Sequence, residues 1–243
     1  MENFFFCACD AKPASGDGDE TYRVERMKIP SFICLFLLPL LITGLAQCVN
    51  AEQADYLSHL EKAIVHEINA ARTNPKGYAS FLEEWKKHFD GKMLRIPGER
   101  TIVTEEGAKA VDEGINFIRS LSPVPRLSPS KGISLGAKDH VKDQGPSGSV
   151  QHKGSDGSQP WDRVNRYGTW ERSIGENIAY GGDKARNIVI CFIVDDGVPS
   201  RGHRKNIFNP DFRVIGVAWG YHATYRTVCV ITFAGGYKEK DRK

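Results

Sequence analysis

Gly175-Glu176-Asn177-Ile178-Ala179-Tyr180-Gly181 and, further on, Asp195-Asp196-Gly197-Val198-Pro199-Ser200-Arg201-Gly202-His203-Arg204 carry the densest chemistry in this chain. Each string sets an ionisable residue beside glycine within apolar flanks, so that a carboxylate and an imidazole can point into one cleft. Such a cluster can bind a metal, move protons or brace a loop. A second imidazole precedes them in Gln151-His152-Lys153-Gly154-Ser155-Asp156-Gly157. Each residue also has a plain structural reading. His152 can be a surface loop residue, Glu176 a helix-start acid, Asp195-Asp196-Gly197 a turn, and His203 a helix-terminal histidine.

The surroundings read as helices first and strands last. Leu57, Leu60, Ile64, Ile68 and Ala71 share one helical face, and Pro75 biases Asn74 away from helix, so a first helix ends near Thr73. Asn74-Pro75 then reads as an N-cap followed by proline at the first helical position. Tyr78, Phe81, Leu82, Trp85 and Phe89 give that second helix an aromatic core face. Gly91–Val103 reads as an irregular loop. A third helix starts at Thr104-Glu105-Glu106, where acids suit the positive end of the dipole, and stops before Pro123 and Pro125. Ser130 begins a fourth, ended by Gly145-Pro146. Gly145 to Thr169 is rich in Gly, Ser, Asp and Gln and reads as a long loop, broken by a turn of helix at Pro160–Tyr167. Ala185–Val194 is apolar and fits helix or strand. Val214–Trp219 and Thr227–Phe233 read as strands joined by a hairpin at Gly220–Arg226. Helices early and strands late argue for an α+β fold, not βαβ winding.

Upstream, Met27-Lys28 precedes an apolar run from Phe32 to Ala46, followed by Val49-Asn50-Ala51, the layout of a secretory signal over residues 27–51. The run is short for a membrane span; an uncleaved signal anchor is the alternative. Residues 1–26, ahead of Met27, read as an extension upstream of the true start, leaving 52–243 as the mature chain. The whole chain of 243 residues carries a net charge of +3, and loss of 1–51 raises it to +5. That is too weak a balance to argue for nucleic acid, and no basic run or basic helix face occurs. Cys7, Cys9, Cys34 and Cys48 fall in the removable part. Cys191 and Cys229 remain and read as a disulfide, which would add about 3–4 kcal/mol by closing its loop; two buried free thiols are the alternative.

Taken together, the order of a helix, Asn-Pro-x-x-Tyr-Ala, a helix, a loop histidine, Gly-Glu-Asn-Ile-Ala-Tyr-Gly, Gly-His-Arg-x-Asn-Ile and a strand pair resembles the CAP superfamily of cysteine-rich secretory proteins, antigen 5 and pathogenesis-related proteins, also called the SCP domain. The resemblance covers about residues 55–238, and Gly-His-Arg is closest to the prokaryote-like branch. It implies an α-β-α sandwich, a small mainly antiparallel sheet flanked by helices, with a cleft lined by two histidines and two acids. By motif these are Glu176 and His203, with His152 as the first histidine. The second acid is Asp195, with Asp196 the alternative. The family often has glutamate here, and an aspartate is one methylene shorter.

The resemblance further implies a secreted, non-enzymatic protein of defence, signalling or host interaction. Its cleft binds zinc or magnesium weakly, a small apolar ligand or lipid, or serves an extracellular protein or cell-surface partner. His152, His203, Glu176 and Asp195 would form the metal site. A metal-assisted hydrolase, a peptidase or esterase using Glu176, His203 and His152, is the second reading, though no Gly-x-Ser-x-Gly elbow or His-Glu-x-x-His occurs. A third reading makes the cluster a hydrogen-bonded brace in a structural or interaction module.

Overall fold

The computed structural model describes residues 7–10 and 54–240. The signal segment over 27–51 lies outside the described residues, as do residues 1–26 apart from Cys7–Asp10.

Two capped helices start the domain. In α1 (His59–Thr73), the Ser58 hydroxyl accepts the Glu61 N–H and the Glu61 carboxylate accepts the Ser58 N–H, a reciprocal capping box. The Asn74 side chain accepts the Gly77 N–H at 3.1 Å and opens α2 (Pro75–Lys86), with Pro75 where a missing N–H costs nothing. Ile64, Ile68, Tyr78 and Leu82 are buried, each worth about 1.5–3 kcal/mol of transfer free energy if fully buried.

Gly91–Val103 is more ordered than its sequence suggests. With the preceding residues it folds into a three-stranded antiparallel sheet of β2 (Phe89–Asp90), β3 (Met93–Leu94) and β4 (Ile102–Val103). Two-residue strands are too short for alternation to appear in a pattern. The third helix, α3 (Ala108–Ser120), starts later than Thr104. Gly107 at φ 68° cannot continue a helix backwards, and the N–H groups of Glu105 and Glu106 are taken by the Asp196 carboxylate.

After β5 (Ser128–Pro129), Ser130 caps α4 (Lys131–Ser147), which runs through Gly145-Pro146 to a left-handed Gly148. The short α5 (Pro160–Asn165) follows. Next comes β6 (Gly168–Tyr180), a 13-residue strand that holds Gly-Glu-Asn-Ile-Ala-Tyr. Its polar first half, and a second half that buries Glu176 and Asn177 among apolar residues, hide the alternation that would have marked it as a strand. α6 (Ala185–Val194), α7 (Gly202–Phe208), β7 (Val214–His222) and β8 (Arg226–Glu239) complete the chain, and both last strands extend beyond their Val- and Ile-rich cores.

The main sheet has the order β1 (Cys7–Asp10), β6, β8, β7, β5, antiparallel except for the β5–β7 pair. Alternation divides its two faces. Ile178, Tyr180, Val228 and Val230 pack with Ala137 and Val141 of α4. Ala179, Cys229, Ile231 and Phe233 face the larger core built from α1, α2, α3 and α6. This is the α-β-α sandwich, an α+β fold. α4 lies directly on the sheet: a β-carbon at Gly216 would come within 2.4 Å of the Ile133–Ser134 backbone. No helix among the described residues is long and apolar enough to cross a membrane.

The expected Cys191–Cys229 bridge is not formed; both cysteines are free. Cys229 sits on β8 between Ala179 and Trp219, whereas Cys191 lines a crevice beside Trp85, Leu94 and Ile102. Burial pushes both thiols well above their ordinary pKa.

Candidate functional site

β6 delivers the two polar residues of Gly-Glu-Asn to opposite faces of the sheet. Glu176 points toward α4 and α5 and is fully buried. Arg163 of α5, itself buried, donates from Nη2 to Glu176 Oε1 at 3.0 Å and Oε2 at 2.8 Å. His152 donates from Nδ1 to Oε1 at 2.9 Å, and Thr232, directly across on β8, lies at 3.5 Å from Oε2. Arg163 Nη1 also donates to the carbonyls of His152 and Ser158, both at 3.0 Å. One guanidinium thus neutralises the acid and ties down the loop that carries the histidine.

Burial raises the Glu176 carboxyl pKa, but the His152 hydrogen bond and the Arg163 charge outweigh it and hold the group below its ordinary value. With an ionised carboxylate as acceptor, the His152 proton is assigned to Nδ1. Its Nε2 is buried and has no hydrogen-bond partner among the described residues. Nearby, His140 of α4 donates from Nε2 to the Gln151 carbonyl at 2.8 Å. Desolvation leads the causes that lower its pKa.

A second His–acid pair forms where α6 ends. Asp195 adopts the left-handed conformation at φ 57° while its N–H still reaches the Cys191 carbonyl at 2.8 Å. That turn aims its carboxylate at α7. Oδ1 meets His203 Nδ1 at 2.5 Å, and Oδ2 accepts the Arg204 N–H at 3.2 Å. His203 and Asp195 are fully buried, and the imidazole stacks on Phe192 at 5.3 Å. Asn177 donates to the His203 carbonyl at 3.1 Å and accepts from Asn206 at 2.8 Å, fixing α7 to β6.

Asp196, the alternative acid, turns the other way and binds the N–H groups of Glu105 and Glu106 ahead of α3. Arg201 and Arg204 close this side through Glu106 and Glu113. Hydrogen bonds from Arg201, and then from Arg204, hold Glu113 down to about 2 against its partial burial.

The four residues singled out from sequence therefore stand as two His–acid pairs. Among the described residues, no group of three or more His, Cys, Asp or Glu side chains is placed to hold a metal ion. Arg163, Asn177 and His140 complete the site. Asn177 lies inside the Gly-Glu-Asn string, but no pattern marks a lone arginine in a short helix as buried.

Residues 113–233 match the model of the cysteine-rich secretory protein family, CAP. The chain is 30% identical over 111 residues to the uncharacterized protein YkwD of Bacillus subtilis strain 168. That alignment takes in 46% of this chain and 41% of the relative, so the chain spans less than half of the relative's length. Among solved structures, it is similar to an outer surface protein from Borrelia burgdorferi (20% identity, TM-score 0.39, covering 48% of this chain and 80% of that one). It is also similar to an extracellular SCP-domain protein from Bacillus anthracis (21%, TM-score 0.37, 52% and 37%). The segment that matches the family holds both His–acid pairs and the strands and helices that position them, and by it this chain belongs to the CAP family.

Proposed function

We propose that this chain is an exported, non-enzymatic binding protein, and that the two imidazoles held by buried acids are its contact points for a divalent cation such as zinc or magnesium. The observation that carries the reading is the state of His152. Glu176 fixes its proton on Nδ1, which leaves the lone pair on a buried Nε2 with no partner among the described residues. Asp195 holds His203 through the same ring nitrogen. A carboxylate that orients a histidine in this way is the usual support behind a metal-binding imidazole.

The acids themselves do not fit as direct ligands. Arg163 and His152 occupy the Glu176 oxygens, while His203 and the Arg204 N–H occupy those of Asp195. Imidazole ligation without a carboxylate suits a weak site completed by solvent or by a bound partner. Export rests on the signal-like segment at 27–51. The hydrolase alternative draws less support, because a glutamate held ionised by a histidine hydrogen bond and an arginine is a weak general base.

Calorimetric titration with zinc chloride tests the reading. The wild-type chain should bind one equivalent, with affinity reduced at least about tenfold in His152→Ala and in His203→Ala, a loss of about 1.4 kcal/mol in each. Absence of heat from a folded wild-type chain would overturn it.

A second reading, a small apolar ligand, is favoured by a separate crevice between α2, the small sheet and α6. Trp85, Phe89, Leu94, Ile102 and Val194 line it, and neither histidine does. Displacement of a fluorescent fatty acid that survives His152→Ala but is lost on filling the crevice with Val194→Trp would establish it. Displacement lost in His152→Ala would remove it.

A further inference from the structure

One edge of β6 pairs with β8 along most of its length; the other pairs with β1, residue for residue from Glu176 opposite Asp10 to Ala179 opposite Cys7. Every residue of β6 from Gly175 to Tyr180 is buried in this arrangement. Yet Cys7–Asp10 lies ahead of Met27 and of the apolar run at Phe32 to Ala46, in the part of the sequence that the mature chain over 52–243 lacks, whether translation starts at Met27 or export removes residues 1–51. Removal of β1 strands the backbone N–H and C=O groups on that edge of Glu176–Ala179 at the rim of a buried strand. An open edge of unpaired N–H and C=O groups is a template for another chain.

We propose that the outer edge of β6 at Glu176–Ala179 is a strand-acceptor site, filled in cis by Cys7–Asp10 in a chain that keeps residues 1–51 and in trans by an extended peptide of a partner protein in a chain that lacks them. Recognition is by main-chain hydrogen bonds in the antiparallel register that β1 displays. α7, which carries His203, packs against β1 and borders the slot. The partner segment is therefore short and built of small residues, as Cys7-Ala8-Cys9 is. Asn177 and Glu176 lie within the acceptor stretch, so an added strand runs beside both His–acid pairs. Its contacts are backbone groups and need no metal, so the acceptor site stands apart from the cation reading.

The test compares the full-length chain with the same chain carrying Ala8→Pro and Cys9→Pro. One of two adjacent residues in an antiparallel strand donates to the ladder, so this pair of prolines breaks β1 in either phase. The probe is a fluorescent peptide spanning residues 6–11 with serine at both cysteines, read by anisotropy in the presence of a chelator. The proline chain should bind it about tenfold more tightly than the wild type, a difference of about 1.4 kcal/mol. A peptide N-methylated at alternate residues should lose that binding. Equal affinity for both chains, or undiminished binding of the N-methylated peptide, would overturn the proposal.

Hydrogen exchange keeps the test sound if the proline chain is perturbed. Exchange at Glu176–Ala179 should accelerate in it and return to the wild-type rate with peptide bound. Exchange that ignores β1, or acceleration throughout the sheet that peptide fails to reverse, counts against the acceptor site. A dimer of the proline chain that peptide cannot dissociate would assign the edge to a second copy and overturn the peptide assignment.

Discussion

The two His–acid pairs share one design and differ in what neutralises the acid. Glu176 stands in the middle of a long strand, and a buried guanidinium grips both its oxygens. Asp195 stands at the end of a helix in a left-handed conformation, and its described partners are a histidine and one backbone N–H. Of the neighbouring guanidiniums, Arg204 is spent on the Ile193 and Val194 carbonyls and on Glu113, and Arg201 on Glu106, Glu113 and the Asp195 carbonyl. The first pair is thus an ion-pair network fixed by the sheet, and the second is a hydrogen-bonded cap fixed by loop geometry. The contrast also explains how an aspartate serves where the family often has glutamate. The left-handed backbone of Asp195 carries the carboxylate to His203, so the missing methylene is made up by main-chain placement.

The sharpest way to break this comparison is to remove the guanidinium. Arg163→Met should leave the buried Glu176 charge uncompensated and cost about 3–5 kcal/mol in chemical denaturation. Adding Glu176→Leu to that variant should recover much of the loss, because an apolar pair of similar bulk carries no charge to desolvate. A single-variant loss under about 1 kcal/mol would mean that His152 alone suffices, and the two pairs would then be alike.

Asp195→Asn should cost less, about 1–3 kcal/mol, because asparagine tolerates the left-handed conformation and keeps an acceptor for His203. Asp195→Ala, which loses both, should be worse than Asp195→Asn. If the two substitutions cost the same, the carboxylate charge is what matters at the second pair, and its description as a cap fails.

Acidification should then act on the first pair and on its neighbour His140 in two steps. The His140 pKa is lowered in the fold while the unfolded chain takes up its proton near the ordinary value of 6.5. The stability that neutral His140 contributes is therefore complete above that value and is lost as pH falls below it. Glu176 is also depressed, so its contribution is present above the ordinary 4.5 and lost as pH falls further. Denaturation midpoints measured from pH 7 to 4 should decline in wild type, and His140→Gln should flatten the upper part of that decline. An unchanged upper slope in His140→Gln would place the titrating group elsewhere.

Much of this was legible in the sequence because it is local. Asn74-Pro75 announces a cap and a helix start, Ser130 another, and the Val- and Ile-rich ends announce β7 and β8. Glu176, His203 and His152 stood out through their glycine-flanked strings. What stayed hidden is set by contacts distant in sequence. Most of β6 carries no strand signal, because its first half is charged and its buried half mixes Glu176 and Asn177 with apolar residues on both faces, so no alternation appears. Asp195 and Asp196 are chemically identical neighbours, and their opposite directions follow from one left-handed residue and from the N–H groups ahead of α3. The cysteines look like a pair in sequence because nothing local says that they face different neighbours.

The smallest expected effect is at those cysteines, and it bears on the second pair alone. Cys191 lies one turn before Asp195 and its carbonyl accepts the Asp195 N–H, so a bridge at Cys191 would pull on the turn that aims the carboxylate at His203. With both thiols free and their pKa raised by burial, little thiolate forms, and oxidation is slow. Melting temperature should be the same with and without reductant. A bridged chain would instead lose about 3–4 kcal/mol on reduction, a shift of several degrees. Because Cys229 sits on β8 beside Ala179 and not beside Glu176, that loss should perturb the His203 ring resonance and leave that of His152 in place. Equal perturbation of both rings would show that the two pairs move as one unit, and the division between a sheet-fixed and a loop-fixed pair would no longer hold.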